Sequence, residues 1–158
     1  MVQLVPMTEN EFKAYLQPAI AEYAQDHVKG GRWGPEEAQR KAEEEYHQVI
    51  PEGLATKDNY FFTIKDGDQP VGMLWFALER RGLLSRAYVY DVKVDDAYRR
   101  RGYGSQAFLA LEEKVRGLGI HTISLHVFGH NLAARQMYQK LGYRETNITM
   151  SKELDDPA

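Results

Sequence analysis

A chain of 158 residues with 43% hydrophobic and 27% charged content has the makeup of an ordinary globular protein, and one domain spanning residues 1–158 is expected. Its formal charge of −3, from 20 basic and 23 acidic residues, sets up no global field for nucleic acid or an anionic membrane. The absence of cysteine excludes a disulfide framework, a thiolate metal site and a cysteine nucleophile, and it suits a reducing cytoplasm, which is the expected location. MVQLVPMTENEF carries no basic region ahead of an apolar run, so no signal peptide is expected, and no stretch approaches the roughly 20 apolar residues of a membrane span.

VQLVP is predicted to be a first strand. Thr8 with Glu11 three residues on makes a capping box. Phe12, Tyr15, Leu16, Ala19, Ile20 and Tyr23 then follow at helical spacing, with Pro18 expected to kink or split that helix. After the break KGGRWGP, Pro35, Glu36 and Glu37 mark a second helix start, with Ala38, Ala42, Tyr46 and Val49 as its apolar stripe. From Asn59 the period changes. NYFFTIK and PVGMLWFALE flank the turn DGDQ and predict a hairpin. AYVYDVKVD is a third strand after a looser connection. A glycine loop follows, then a helix with Phe108, Leu111, Val115 and Leu118 facing inward. HTISLHVF is another strand, NLAARQMYQKLGY a short helix stopped at Gly142, and RETNITMSKEL a closing strand. This order predicts an α/β fold, with helices packed around one mixed sheet rather than a regular βαβ array.

The loop between strand and helix, DDAYRRRGYGSQ, concentrates positive charge and flexible backbone in a mildly acidic chain. A Walker loop needs lysine after its last glycine, and Gly104 is followed by Ser105 and Gln106. GYGSQA fits the dinucleotide pattern G-x-G-x-x-[GA], but seven residues separate Val94 from Gly102 and the next strand carries no acid for a ribose. The third pattern, [QR]-x-x-G-x-[GA], is Arg99-Arg100-Arg101-Gly102-Tyr103-Gly104. Unpaired amides at a helix start form an anion-binding concavity, glycines let the backbone approach a diphosphate, and arginines pair with further phosphates. A ligand with a diphosphate and a separate ribose phosphate would use both features, and coenzyme A is such a ligand.

Through VYDVKVDDAYRRRGYG and NLAARQMYQKLGY, in that order and with TISLHVF between them, the chain resembles the GNAT superfamily of N-acetyltransferases from about Tyr60 to Leu154. The resemblance implies a mixed, mostly antiparallel central sheet flanked by helices. It also implies acetyl-CoA as co-substrate, no metal, and a small-molecule amine or peptide as acceptor. A homodimer is possible on the same ground. The family's diphosphate loop maps onto Arg99, Arg100, Arg101, Gly102, Tyr103, Gly104 and Ser105. Its pantetheine-pairing strand maps onto Val92, Lys93 and Val94. Asn131 takes the cofactor-contacting role and Tyr138 that of the acid protonating the leaving thiolate.

An amine of pKa near 10 is only about one part in a thousand neutral at pH 7, so a proton acceptor is required. Asp91 is the expected base, with Tyr90, Glu79 and His126 as other candidates. The family often carries glutamate near position 90 or 91, and Tyr90 departs from that. A strand bulge would change which of these side chains faces the acceptor. Tyr138 read without the resemblance is a core tyrosine, and Asn131 is a helix N-cap. Glu43, Glu44 and Glu45 are either a solvated helix face or an attractor for a basic acceptor. Trp33 and Trp75 read as packing, and His27, His47 and His121 carry no metal spacing. A non-catalytic acyl-CoA-binding module and a protein or peptide N-acetyltransferase are the alternatives that the sequence leaves open.

Overall fold

A computed structural model of the chain describes residues 1–155. It forms two compact units, Met1–His126 and a second that begins at Val127. In the first, β1 (Val2–Pro6), β2 (Asn59–Asp66), β3 (Gln69–Arg81), β4 (Leu84–Val94) and β5 (Ile123–Leu125) form one sheet in the order β1-β2-β3-β4-β5. The first three pairings are antiparallel. β4 and β5 run parallel, because helix α3 (Tyr103–Gly117) carries the chain back between them. The sheet is therefore mixed and mostly antiparallel, as expected.

Alternation along β2 and β3 divides the core. Phe61, Met73 and Trp75 join Met7, Phe12 and Ile50 on the side covered by α1 (Glu9–Lys29) and α2 (Ala38–Val49). Phe62, Ile64, Leu74 and Phe76 point the other way and are buried, with Lys114 of α3 over the Phe62 ring. Phe108, Leu111 and Val115 are the buried stripe of α3. Leu118, expected in that stripe, is the C-cap and 44% exposed, because the helix ends at Gly117 and the chain turns so that Ile120 is buried instead.

Several sequence expectations shift. Thr8 caps α1 as a capping box, but Pro18 neither splits nor ends it. An internal proline costs about 3 kcal/mol, and burying Phe12 and Ile20 of the same helix offsets this at about 1.5–3 kcal/mol each. α2 begins at Ala38 rather than Pro35, since residues 35–37 form a turn in which Glu37 Oε1 accepts from Gly34 N–H at 3.2 Å. The connection from β3 to β4 is tight: Arg81 pairs with Leu84 around Gly82, and Arg86 bridges to Glu79 at 2.8 Å across the ladder. β5 is only three residues long. The expected closing strand is absent among the described residues. Ile148, Met150 and Leu154 alternate as a strand would, but all three are exposed, so the pattern has no covered face to hold it. In this second unit α4 (Leu132–Lys140) ends ahead of Gly142, whose φ of 96° suits a residue without a Cβ. Among the described residues no helix is long and apolar enough to cross a membrane.

β3 and β4 lie close together at Gly72, where a Cβ would sit 2.1 Å from the main-chain oxygen of Lys93. Neither backbone can retreat without breaking the ladder. Gly72→Ala should therefore destabilise the fold by about 1–3 kcal/mol, read as a lowered thermal midpoint. An unchanged midpoint would show that the strands separate there at no cost.

Candidate active site

The site is organised by an irregularity in β4. Trp75 pairs with Asp91, yet Phe76 pairs with Val89, so Tyr90 is an extra residue in β4. Two consecutive side chains then emerge on the α1/α2 face. Tyr90 stacks on Trp75 at 4.6 Å, and the Tyr15 hydroxyl donates to Asp91 Oδ2 at 2.8 Å. The parallel ladder to β5 stops at the same place, with Val89 opposite Leu125. Beyond it, no strand pairs that edge of β4 among the described residues.

Which groups occupy that edge follows from the ladder. Asp95 N–H donates to Val71 O at 2.8 Å, which makes Gly72 and Val94 a non-hydrogen-bonded pair. The main-chain groups of Lys93 and Asp91 therefore face β3, and those of Val92 and Val94 face the opposite edge. The Val94 carbonyl there accepts from Arg99 Nε at 3.1 Å. Lys93 thus offers the site its side chain rather than its main chain.

On the α1/α2 face lies a cavity of about 580 Å³, bounded by α1, α2, β3 and β4. Glu11, Glu22, Asp26, Asp91 and Asp95 line it, together with one cation, Lys93, which lies 3.5 Å from Glu22. Tyr15, Tyr23, Tyr46 and Tyr90 supply aromatic wall. Burial pushes the Asp91 carboxyl above its ordinary value of 3.8. The Tyr15 hydrogen bond opposes this, Glu22 adds to it, and Lys93 and the Val92 amide oppose it. Tyr15 is itself pushed upward, by burial and then by the Asp91 charge, and so remains a proton donor at every physiological pH. Burial raises Tyr46 too.

At the far end of β4 the chain makes a short 3₁₀ turn, Asp96–Tyr98, and enters α3. Arg100 has a φ of 65° and Gly102 one of 82°. A non-glycine residue held there costs on the order of 1–3 kcal/mol. The first main-chain bond of α3 runs from Gln106 N–H to Gly102 O at 3.1 Å, and no side chain caps the helix. The N–H groups of Arg100, Arg101, Gly102, Tyr103, Gly104 and Ser105 thus have no partner among the described residues. The loop is braced from outside. Arg99 pairs with Asp96 at 3.0 Å, Tyr103 donates to Asp66 at 2.6 Å, and Arg101 lies over the Tyr98 ring at 5.7 Å.

In the second unit Asn131 is the N-cap of α4, its side chain accepting from Ala134 N–H at 3.3 Å. Tyr138 is half-buried on that helix, its ring against Tyr143 at 5.8 Å, and burial raises its phenol above the ordinary range.

The other candidates have structural roles. Glu79 is in an ion pair with Arg86. Glu43, Glu44 and Glu45 interact with Gln39, Arg40 and Arg32 respectively and stand outside the cavity lining. Trp33 packs with Ile20 and Ala38, and Trp75 donates to Asn59 at 2.9 Å. The sequence reading missed Glu22, Asp26 and Tyr15 as cavity residues. Their signal was present, since positions 11, 15, 18, 22 and 26 recur at helical spacing on one face of α1.

A model of the acetyltransferase (GNAT) family matches residues 19–143. YycN of Bacillus subtilis (strain 168), an uncharacterized N-acetyltransferase, is 38% identical over 154 residues, covering 97% of this chain and 99% of that protein. Its crystal structure superposes with a TM-score of 0.88 over 99% of this chain and 100% of that one. A predicted acetyltransferase from Clostridium acetobutylicum, crystallised with acetyl-CoA, shares the fold at 12% identity, with a TM-score of 0.64 over 97% of this chain and 96% of that one. A ribosomal-protein alanine N-acetyltransferase of Escherichia coli (strain K12) is 32% identical over 66 residues, 42% of this chain and 45% of that protein.

The charge state of Asp91 is open to a direct stability test. Because its value in the fold lies above 3.8, the stability tied to the protonated carboxyl is fully present below about pH 3.8 and is lost as pH rises through the folded value. Asn at this position still accepts from Tyr15 and carries no charge. Asp91→Asn should therefore gain thermal stability relative to wild type as pH is raised from acid to neutral. A difference between the two proteins that stays constant with pH would show that the carboxylate is not held out of water.

Proposed function

The chain belongs to the GNAT family of N-acetyltransferases, and from that premise we propose that it transfers acetyl from acetyl-CoA to a primary amine, directly and within a ternary complex. The observation that carries this reading is the row of unpartnered N–H groups from Arg100 to Ser105 at the start of α3. A helix start with successive free amides suits a diphosphate. Arg100 and Arg101 are exposed beside it, and forked guanidinium contacts suit the outer phosphate. The strained φ of Arg100 fits a loop shaped for a ligand rather than for stability. Arg99 braces the loop against Val94 and Asp96 and adds its charge. Asn131 contacts the same ligand in this reading.

When bound, acetyl-CoA supplies an acetyl group activated as a thioester. The main-chain groups of Val92 and Val94, on the edge that no strand covers, align the pantetheine arm. A main-chain N–H of that edge would donate to the carbonyl oxygen as it gains charge, an effect worth about 3–4 kcal/mol in comparable sites. Asp91 takes a proton from the acceptor ammonium, for which a raised carboxyl is better matched than an ordinary aspartate. The neutral amine so formed would attack the thioester carbonyl, forming the C–N bond as the C–S bond breaks. Tyr138, kept protonated by burial, gives a proton to the departing sulfur. The chain has no cysteine to carry the acetyl group itself, which favours direct transfer.

The cavity at Asp91 is the acceptor side in this reading. Its volume is that of a small-molecule site. Five carboxylates against one lysine favour a cationic amine of low molecular weight over a neutral or anionic one.

Gly104→Val tests the phosphate cradle. Valine suits a helix at least as well as glycine, so the fold should persist. The branched side chain would crowd the free amides of the loop from Arg101 to Ser105. Calorimetric titration with coenzyme A should show affinity falling roughly a hundredfold, the loss of about two charge-assisted hydrogen bonds. Wild-type affinity in the variant would remove the loop from cofactor binding.

A further inference from the structure

Asp91 is held from a distant part of the chain. Tyr15, on α1, is 76 residues away in sequence, yet its hydroxyl donates to Asp91 Oδ2 at 2.8 Å. Its ring is fixed by packing against the cluster of Met7, Phe12, Ile50, Phe61, Met73 and Trp75, with the Phe61 ring 6.4 Å away. That packing would be served equally by phenylalanine, so the hydroxyl has a separate consequence. The carboxyl torsion of an aspartate is broad and soft, and a fixed external donor removes that freedom.

We propose that Tyr15 is a positioning residue for proton transfer: its hydroxyl locks the Asp91 carboxylate against the acceptor cavity in the orientation that receives the amine proton. This rests on the reading of Asp91 as the base. The bulge makes the arrangement possible, because the extra residue Tyr90 sets Asp91 on the face of β4 that α1 covers. One lone pair of Oδ2 is then taken by Tyr15, and the remaining lone pairs of the carboxylate stay able to accept a proton.

The surroundings fix the sign of the effect. Facing Asp91 are Tyr15 and Glu22 from α1, Tyr46 from α2, and Lys93 and Tyr90 from β4. Glu22 and burial disfavour the anion, whereas Lys93 and the Tyr15 hydroxyl favour it. Tyr15 does not titrate away as pH rises, so its hydrogen bond is present throughout the working range. Deleting the hydroxyl while keeping the ring removes one favourable contact from the anion and leaves the burial in place. The carboxyl then takes up its proton at higher pH, and the acid limb of turnover moves with it.

The test uses the full chain as wild type, Tyr15→Phe and Asp91→Asn. Carbon-13 NMR follows the Asp91 carboxyl against pH, and thiol release from acetyl-CoA is measured with 1,4-diaminobutane as acceptor probe. In Tyr15→Phe the carboxyl inflection should move to higher pH. The acid limb of kcat should follow it, and kcat should fall about tenfold with the KM for acetyl-CoA unchanged. An inflection that stays at the wild-type position overturns the inference, and the NMR arm decides this even where the diamine is not turned over. Reduced turnover in Asp91→Asn beside a wild-type kcat and pH profile in Tyr15→Phe overturns the inference alone. Wild-type turnover in Asp91→Asn overturns the base assignment beneath it.

Discussion

One surplus residue in β4 shapes the face on which the candidate chemistry lies. With Tyr90 inserted between the pairs Val89–Phe76 and Asp91–Trp75, β4 changes its relation to both neighbours at once. Toward β3 the ladder continues, but its side-chain parity is reset, so that Tyr90, Asp91 and Lys93 all reach the cavity. Toward β5 the ladder ends at Val89. A perfectly regular strand would carry either an unbroken edge or a single alternating face. The bulge instead yields a free main-chain edge and sets Asp91 on the face where Glu11, Glu22 and Asp26 of α1 also line the cavity. Gly72 holds the far side of this arrangement, because only a residue without a Cβ allows β3 to lie so close to Lys93.

The charge distribution follows the same strand. A chain of net charge −3 is locally polarised: carboxylates surround the cavity at Asp91, and three arginines stand at the loop that leaves Val94. Global charge therefore says little about what the protein attracts, whereas local charge separates the two classes of ligand in the proposed reaction. An anionic cofactor would be drawn to the loop that leaves β4, and a cationic acceptor to the α1/α2 face of the same strand. The strain at Arg100 and the burial of Asp91 both work against stability. Their placement at the loop and in the cavity is what is expected where folding is compromised for chemistry.

Much of this was legible in the sequence, and the failures have physical reasons. The capping box at Thr8, the hairpin at Gly67 and the glycine-bearing start of α3 are local signals, set by backbone geometry within a few residues, and each appears where expected. The bulge at Tyr90 left no trace in AYVYDVKVD, because pairing register is decided by β3 and by the packing of Trp75. Asp91 was legible as a candidate base, whereas its partner Tyr15 was absorbed into the apolar stripe of α1, where a tyrosine and a leucine look alike. The acids of α2 drew notice as a run, but Glu43, Glu44 and Glu45 are engaged with neighbouring side chains. The acids that line the cavity are spread over α1 and β4, and only the fold gathers them. The segment after Gly142 has strand-like alternation without a partner, and alternation alone does not make a sheet.

The central claim is that the main-chain amides at the start of α3 grip a diphosphate. Nitrogen-15 NMR on the full chain reads those amides one by one. Adding coenzyme A should move the signals of Gly102, Gly104 and Ser105 more than any others in the loop. Adding pantetheine, which lacks the diphosphate, should leave them in place. Binding of coenzyme A with those three signals unmoved would contradict the account.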